Sequence, residues 1–228
     1  MNQSVLSLLH LSDPMLPIGG FSHSAGLETY VQQQVVTNSE TAQSFIKEML
    51  SKNLAYTDAA ILSLVYDATA QKDIAIVLRL DEECSAAKLP AEIRMASKKL
   101  GIRLLKIFET LTENAFALAY GVHLKNNLAE GNHCVVFGMF AQILGINKHQ
   151  ALEGYFYNAA AGFVTNCVKL IPLGQQHGQE ILFSLMPLIR ELAEGAMTPN
   201  RDLIGFCCSG FDIRSMQHEH LYSRLYMS

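Results

Sequence analysis

Between Leu152 and Cys167 the chain places apolar residues at helical spacing without a break: Leu152, Tyr155, Phe156, Ala159, Ala160, Phe163, Val164 and Cys167. Positions that keep the i, i+3, i+4 step share one face of a helix, whereas the two-residue period of a strand would send them to opposite sides. The central alanines let a second helix approach closely. The spacing predicts a central buried helix over about 148–169, and such a helix has to be covered by other helices.

The same step recurs along the chain. A short lead-in helix over Val5 to Leu11 stops before Pro14 and Pro17, because the residue ahead of a proline avoids the α region. Thr37 to Glu40 has the Thr-x-x-Glu form of a capping box ahead of Ala42, Phe45, Ile46, Met49 and Leu50. Asn53 ends or bends that helix. Asp58 and Asp73 read as caps of the next two. Pro90 suits the first turn of a long helix through Leu111, in which Gly101 signals a close helix crossing. Val136 to Leu144 is a short helix closed by Gly145. Ile181, Leu185, Leu188 and Leu192 form one stripe of a later helix kinked by Pro187. Beyond Gly210 the period becomes irregular and the residues polar and aromatic, so 211–228 reads as a flexible or partner-binding C-terminal tail. No alternating stretch is long enough to argue a sheet. The expected fold is all-α: a single many-helix globular domain over 1–228 around the central helix, with a partner-ordered tail.

Composition narrows the function classes. Half of the 228 residues are hydrophobic and only 17% are charged, so either the core is large or partners cover apolar surface. A net charge of -4 gives no basic field for nucleic acid. There is no signal-like start and no membrane-spanning run, which points to the cytoplasm. Five scattered cysteines without a C-x-x-C read as buried reduced thiols.

Chemistry-bearing residues gather in Leu16-Pro17-Ile18-Gly19-Gly20-Phe21-Ser22-His23-Ser24-Ala25-Gly26-Leu27-Glu28. Gly19 and Gly20 permit a turn, and Ser22 or Ser24 is placed to start a helix running to about Gln34. A capped turn explains the stretch locally; a functional surface is the alternative. No phosphate-cradling glycine motif is present. Ser22 or Ser24 beside His23 lacks the elbow of a nucleophile. His218-Glu219-His220 spaces its histidines two apart, on different sides of a helix, unlike H-E-x-x-H. A metal-dependent hydrolase on His23, His218 and His220 with Glu28 or Glu219 stays open as a competing class. The turns at Gly19-Gly20 and Leu173-Gly174-Gln175, with the arginines of the tail, look more like recognition surface.

Four blocks together resemble the UreF family of urease accessory proteins. They are Leu16 to Glu28; Glu92-Ile93-Arg94 with Ala96-Ser97 and Gly101; Ile171-Pro172-Leu173-Gly174-Gln175 with Gly178-Gln179; and Ser215-Met216-Gln217-His218-Glu219 through Leu221-Tyr222-Ser223-Arg224-Leu225. Two positions depart from the family pattern: Cys134 stands where proline is usual, and Lys169 where arginine is usual, which keeps the charge but loses the guanidinium fork. The resemblance implies a non-catalytic, dimeric, all-helical protein with no cofactor of its own. Similar proteins join a UreD-type scaffold, called UreH in some organisms, and the UreG GTPase, and the assembly delivers nickel to apo-urease in a GTP-dependent step. It further implies that the chain recruits or modulates the GTPase, forms part of a passage for the metal, and meets the scaffold through its C-terminal region. Partner-binding residues are then expected at Gly19, Gly20, Ser22, His23 and Glu28; at Arg94; at Lys169 and Gln175; and at Asp212, Arg214, Ser215, His218, Glu219, Tyr222 and Arg224. No metal ligand is assigned; His23, His218 and His220 are the candidates for a transient nickel contact. Arg94 and Arg214 are candidates for an arginine acting on the partner's GTP hydrolysis.

Overall fold

In the computed structural model, which describes residues 3–206 and 208–227, every regular element is a helix. The helices are α1 (Gln3–Leu11), α2 (Leu27–Gln32), α3 (Ser39–Glu48), α4 (Asp58–Ala70), α5 (Ile74–Ala87), α6 (Ala91–Thr112), α7 (Ala115–Lys125), α8 (His133–Ile143), α9 (Lys148–Leu170), α10 (Gln175–Ser184), α11 (Met186–Gly195) and α12 (Ser209–His218). A π-helical turn (Met49–Asn53) and a 3-10 turn (Leu54–Tyr56) carry the chain from α3 into α4, at the bend expected near Asn53.

Helix α9 matches its predicted range and packs against α2, α3, α4, α8, α10 and α11. Seven of its eight stripe residues are buried and Ala159 is half-buried. Beside it, α8 is buried on all sides, with Cys134 to Ala141 inaccessible in an unbroken run. A helix apolar all round has to sit inside a protein of this kind, and α8 is enclosed by α4 and α6. Gly101 of α6 makes that enclosure fit: a Cβ there would fall 2.1 Å from the carbonyl oxygen of Gly131, just ahead of α8. Each fully buried Leu, Ile or Phe contributes about 1.5–3 kcal/mol, and Leu50, Leu62, Leu104, Phe137, Phe140 and Phe156 are of that kind.

Two buried polar clusters tie distant segments together. Asp81 of α5, inaccessible to solvent, accepts from the hydroxyl of Tyr120 at 2.6 Å and from the backbone N–H groups of Glu130, Gly131 and Asn132 at 2.7, 2.9 and 3.0 Å. That clamps the loop entering α8. Asp58 pairs with Lys88 Nζ at 2.5 Å and accepts from Tyr155 at 3.0 Å. Burial alone would raise the Asp58 carboxyl and lower the Lys88 ammonium; the pairing overrides both, so the acid is held below and the base above its ordinary value.

Several local expectations are corrected. The cap of α3 is Asn38, one residue after Thr37: its side chain accepts from Thr41 N–H, and Thr41 Oγ1 accepts from the Asn38 N–H. Asp58 is the first residue of α4, and its carboxylate serves Lys88 and Tyr155 in place of capping. Pro90 precedes α6 by one residue. The single kinked helix expected around Pro187 is two helices, α10 and α11, parted at Leu185. A proline ring removes one i to i−4 bond and crowds the carbonyl four residues back, so the helix restarts with Pro187 in its first turn. Where the period reads as irregular, residues 209–218 form α12, with Phe211, Ser215 and His218 buried against α2 and α6. Cys84, Cys134 and Cys167 are buried free thiols and Cys208 is half-buried; Cys207 lies outside the described residues.

Candidate functional site

The site grows from backbone conformation. Gly19 (φ 88°) and Gly26 (φ 79°) occupy the left-handed region that favours glycine, and each is overlaid so closely that a side chain would collide, with Arg103 Nη1 at 2.2 Å and Ser215 Oγ at 2.6 Å. Gly20 needs no such freedom, contrary to expectation. The helix expected from Ser22 or Ser24 starts later, at Leu27. Gly20–Ser22 is a 3-10 turn in which the Ser22 hydroxyl donates to Gly19 O at 2.8 Å. Arg103 of α6 donates to Ile18 O at 3.0 Å and holds the turn against that helix.

Starting α2 at Leu27 buries Glu28 in its first turn, 5% exposed. Its Oε1 accepts from the Leu225 N–H at 2.7 Å, and its Oε2 from the Tyr226 N–H at 3.2 Å. Nε2 of His218 lies 3.1 Å from the same Oε2. The other ring nitrogen, Nδ1, lies 2.7 Å from Oε2 of Glu92, whose Oε1 accepts from Arg224 at 2.6 Å. The Met227 N–H closes the seam by donating to Ser22 O at 2.9 Å. The first and last sequence blocks, some 190 residues apart, therefore form one surface with the start of α6.

Other expected residues distribute as follows. His23 is half-buried at the edge of this surface, and burial, then Lys99 and Arg103, lower its pKa against the opposing pull of Glu92. Arg214 lies over the Tyr30 ring at 5.3 Å, and Ser215 packs on Gly26. Glu219, His220, Tyr222 and Arg224 are exposed beside the seam. Arg94 is apart from it: Nη1 donates to the carbonyls of Lys88 and Leu89 at 2.6 and 3.2 Å, fastening the turn between α5 and α6. Lys169 and Gln175 are exposed at the junction of α9 and α10.

A cavity of about 200 Å³ runs beneath the surface from His23 and Asp212 to Lys88, Asp58, Tyr155 and His133. The His133 ring lies tilted over Tyr155 and meets Phe137 edge-on, and burial holds it neutral, its pKa pushed down to about 4. Sequence reasoning missed this cluster, because its members are scattered over α4, α8, α9 and the turn that follows α5. It also passed over Glu92 as a site residue, although Glu92 opens one of the four blocks. Among the described residues, no group of three or more His, Cys, Asp or Glu is arranged to hold a metal ion. Both ring nitrogens of His218 face carboxylates, while His23 is half-buried and His220 exposed.

Comparison with known proteins decides the family. The UreF family model matches residues 36–186. The urease accessory protein UreF of Actinobacillus pleuropneumoniae is 45% identical over 97% of this chain and 98% of its own length. The chain belongs to the UreF family. The UreF protein of Haemophilus influenzae is likewise 45% identical, over 97% of this chain and 94% of its own. That of a Bacillus species is 33% identical over 98% and 99%. The segment matched by the UreF family model contains the α4, α8 and α9 core, and the seam of Glu28 with the tail lies outside it. Membership supports a role in urease maturation. No helix among the described residues is long and apolar enough to cross a membrane.

Proposed function

We propose that this chain joins a UreD-type (UreH-type) scaffold and the UreG GTPase in a cytoplasmic complex that inserts nickel into apo-urease at the expense of GTP. It acts there as a homodimeric, non-catalytic subunit that recruits and modulates the GTPase. Nickel is cargo and GTP stays with the partner, so the chain needs no resident cofactor. The observation that carries this reading is the convergence of the first and last family-like blocks on one surface, with Tyr222, Leu225 and Met227 left exposed along it. Large exposed apolar side chains elsewhere, such as Phe183, Leu111 and Leu128, offer further contact area.

The geometry favours modulation through conformation over an inserted arginine. Arg94 donates to two carbonyls and Arg214 lies over an aromatic ring, each contact made within this chain. For a metal passage the chain offers the cavity from His23 to Asp58, but Lys88 occupies that carboxylate, and a cation entering there has to displace an ammonium.

The test is co-purification with the scaffold-type and GTPase-type partners, followed by urease activation with and without this chain. Truncation after His218 is expected to weaken the complex while far-UV circular dichroism keeps its helical signal. Full activation without the chain, or a stoichiometric metal with hydrolase activity on the isolated protein, overturns the proposal. Light scattering that gave only the 25.2 kDa mass of one chain at all concentrations counts against the homodimer.

A further inference from the structure

Cys84 of α5 and Cys134 of α8 are 50 positions apart in the chain, yet their Sγ atoms lie 3.4 Å from each other and both residues are inaccessible to solvent. As thiols they pack as two small apolar groups. A disulfide needs its sulfurs at about 2.05 Å. The remaining gap is smaller than the displacement a sulfur makes between staggered rotamers. Lys88, one turn after Cys84, brings its ammonium near enough to act on both sulfurs. Burial holds the Cys134 thiol well above its ordinary value, and Lys88 opposes that shift. The cavity of about 200 Å³ reaches Lys88 and His133, and His133 directly precedes Cys134. A small uncharged oxidant fits such a space, whereas a bulky, charged disulfide of the glutathione kind does not.

We propose that Cys84 and Cys134 form a modification site, a thiol pair that hydrogen peroxide converts to a disulfide joining α5 to the start of α8. Two thiols and one peroxide give one disulfide and two waters. In the first step one sulfur attacks a peroxide oxygen and the O–O bond breaks; the departing oxygen takes the thiol proton and leaves as water, and a sulfenic acid remains. In the second, the other sulfur attacks the sulfenyl sulfur and the S–O bond breaks; the hydroxyl leaves as water with the second thiol proton. The two sulfurs together lose two electrons, and the peroxide gains them. A partner sulfur already at 3.4 Å makes the second step intramolecular, so oxidation stops at the disulfide instead of climbing to sulfinic acid. The bond closes a loop that contains α6 and α7, and it lies beside the loop that Asp81 clamps. Closing a loop of that length lowers the unfolding equilibrium by about a hundredfold. The inference concerns this chain alone and goes beyond the maturation role: it makes the joint between α5 and α8 respond to peroxide.

The test treats the full-length protein with excess hydrogen peroxide, caps the remaining thiols by alkylation, digests without reductant and maps the peptides by mass spectrometry. The Cys84 and Cys134 peptides are expected to be joined, and dithiothreitol to part them. In the same sample the urea midpoint should rise, and it should fall back on reduction. Cys134→Ala, which keeps a small apolar group in place, should abolish both the joined peptide and the rise. Should this variant fail to fold, the peptide map of the unaltered protein decides. Cys84 and Cys134 both recovered as alkylated thiols, in a sample whose exposed Met15 has been oxidised, overturn the proposal. So does either cysteine found as a sulfinic acid, or a rise in midpoint that persists in Cys134→Ala.

Discussion

Asp81 and Glu28 are two buried carboxylates that do one job at different depths. Each gathers backbone N–H groups from a segment far along the chain, Asp81 from 130–132 and Glu28 from 225–226. Asp81 works inside the core, where its other partners are the Tyr120 hydroxyl and the Asn132 amide. Glu28 works at a seam, where its remaining partner is the His218 ring and the segment it holds is the end of the chain. The lesson is that the same carboxylate chemistry joins two core elements in one place and fastens the end of the chain in the other.

The largest effect expected from breaking this contrast is at the core. Asp81→Ala strands three backbone donors and a buried phenol, and should cost about 3–5 kcal/mol in urea unfolding, with loss of the native fold an acceptable outcome. A comparable loss, about 3–5 kcal/mol, is expected for Lys88→Met, which leaves Asp58 buried without its cation. If either proves neutral, the buried clusters are not what holds α5 in place.

A pH series tests the core side of the contrast. His133 is neutral in the fold down to about pH 4, whereas an unfolded histidine binds its proton near about 6.5. The unfolded state thus holds more protons between those values, so stability falls as pH drops through that window, by up to about 3 kcal/mol. His133→Phe should flatten this acid limb in unfolding measurements.

Smaller effects are expected at the seam itself. Glu28→Gln should raise exchange at Leu225 and Tyr226 and lower global stability by about 1–3 kcal/mol, leaving α8 amides protected. Arg224→Ala, at a half-exposed pair, should cost no more than about 1 kcal/mol and matter less in high salt. A global loss from Glu28→Gln as large as that from Asp81→Ala would erase the distinction between joint and seam.

Most of the helices were legible because amphipathic stripes and local caps are short-range properties. The α9 stripe, the Asp73 cap and the close approach at Gly101 needed nothing beyond their own neighbourhood. What failed locally failed for tertiary reasons. Asp58 carries a capping residue's chemistry but is claimed by Lys88, 30 residues away. Residues 209–218 lack a clean stripe because α12 buries a serine and a histidine along with Phe211. The seam was only half legible: Glu28 and His218 stood out as unusual residues in family-like blocks, but no pattern in either block pairs them, or brings in Glu92.

The sequence by itself determined that this protein is all-helical, that α9 is its central helix, and to which family it belongs, since periodicity and motif survive without knowledge of neighbours. Only the tertiary structure decided which charged groups are buried together. Desolvation and hydrogen-bond satisfaction depend on what surrounds an atom in space, and for Asp81, Asp58 and Glu28 those surroundings come from residues 30 to nearly 200 positions away.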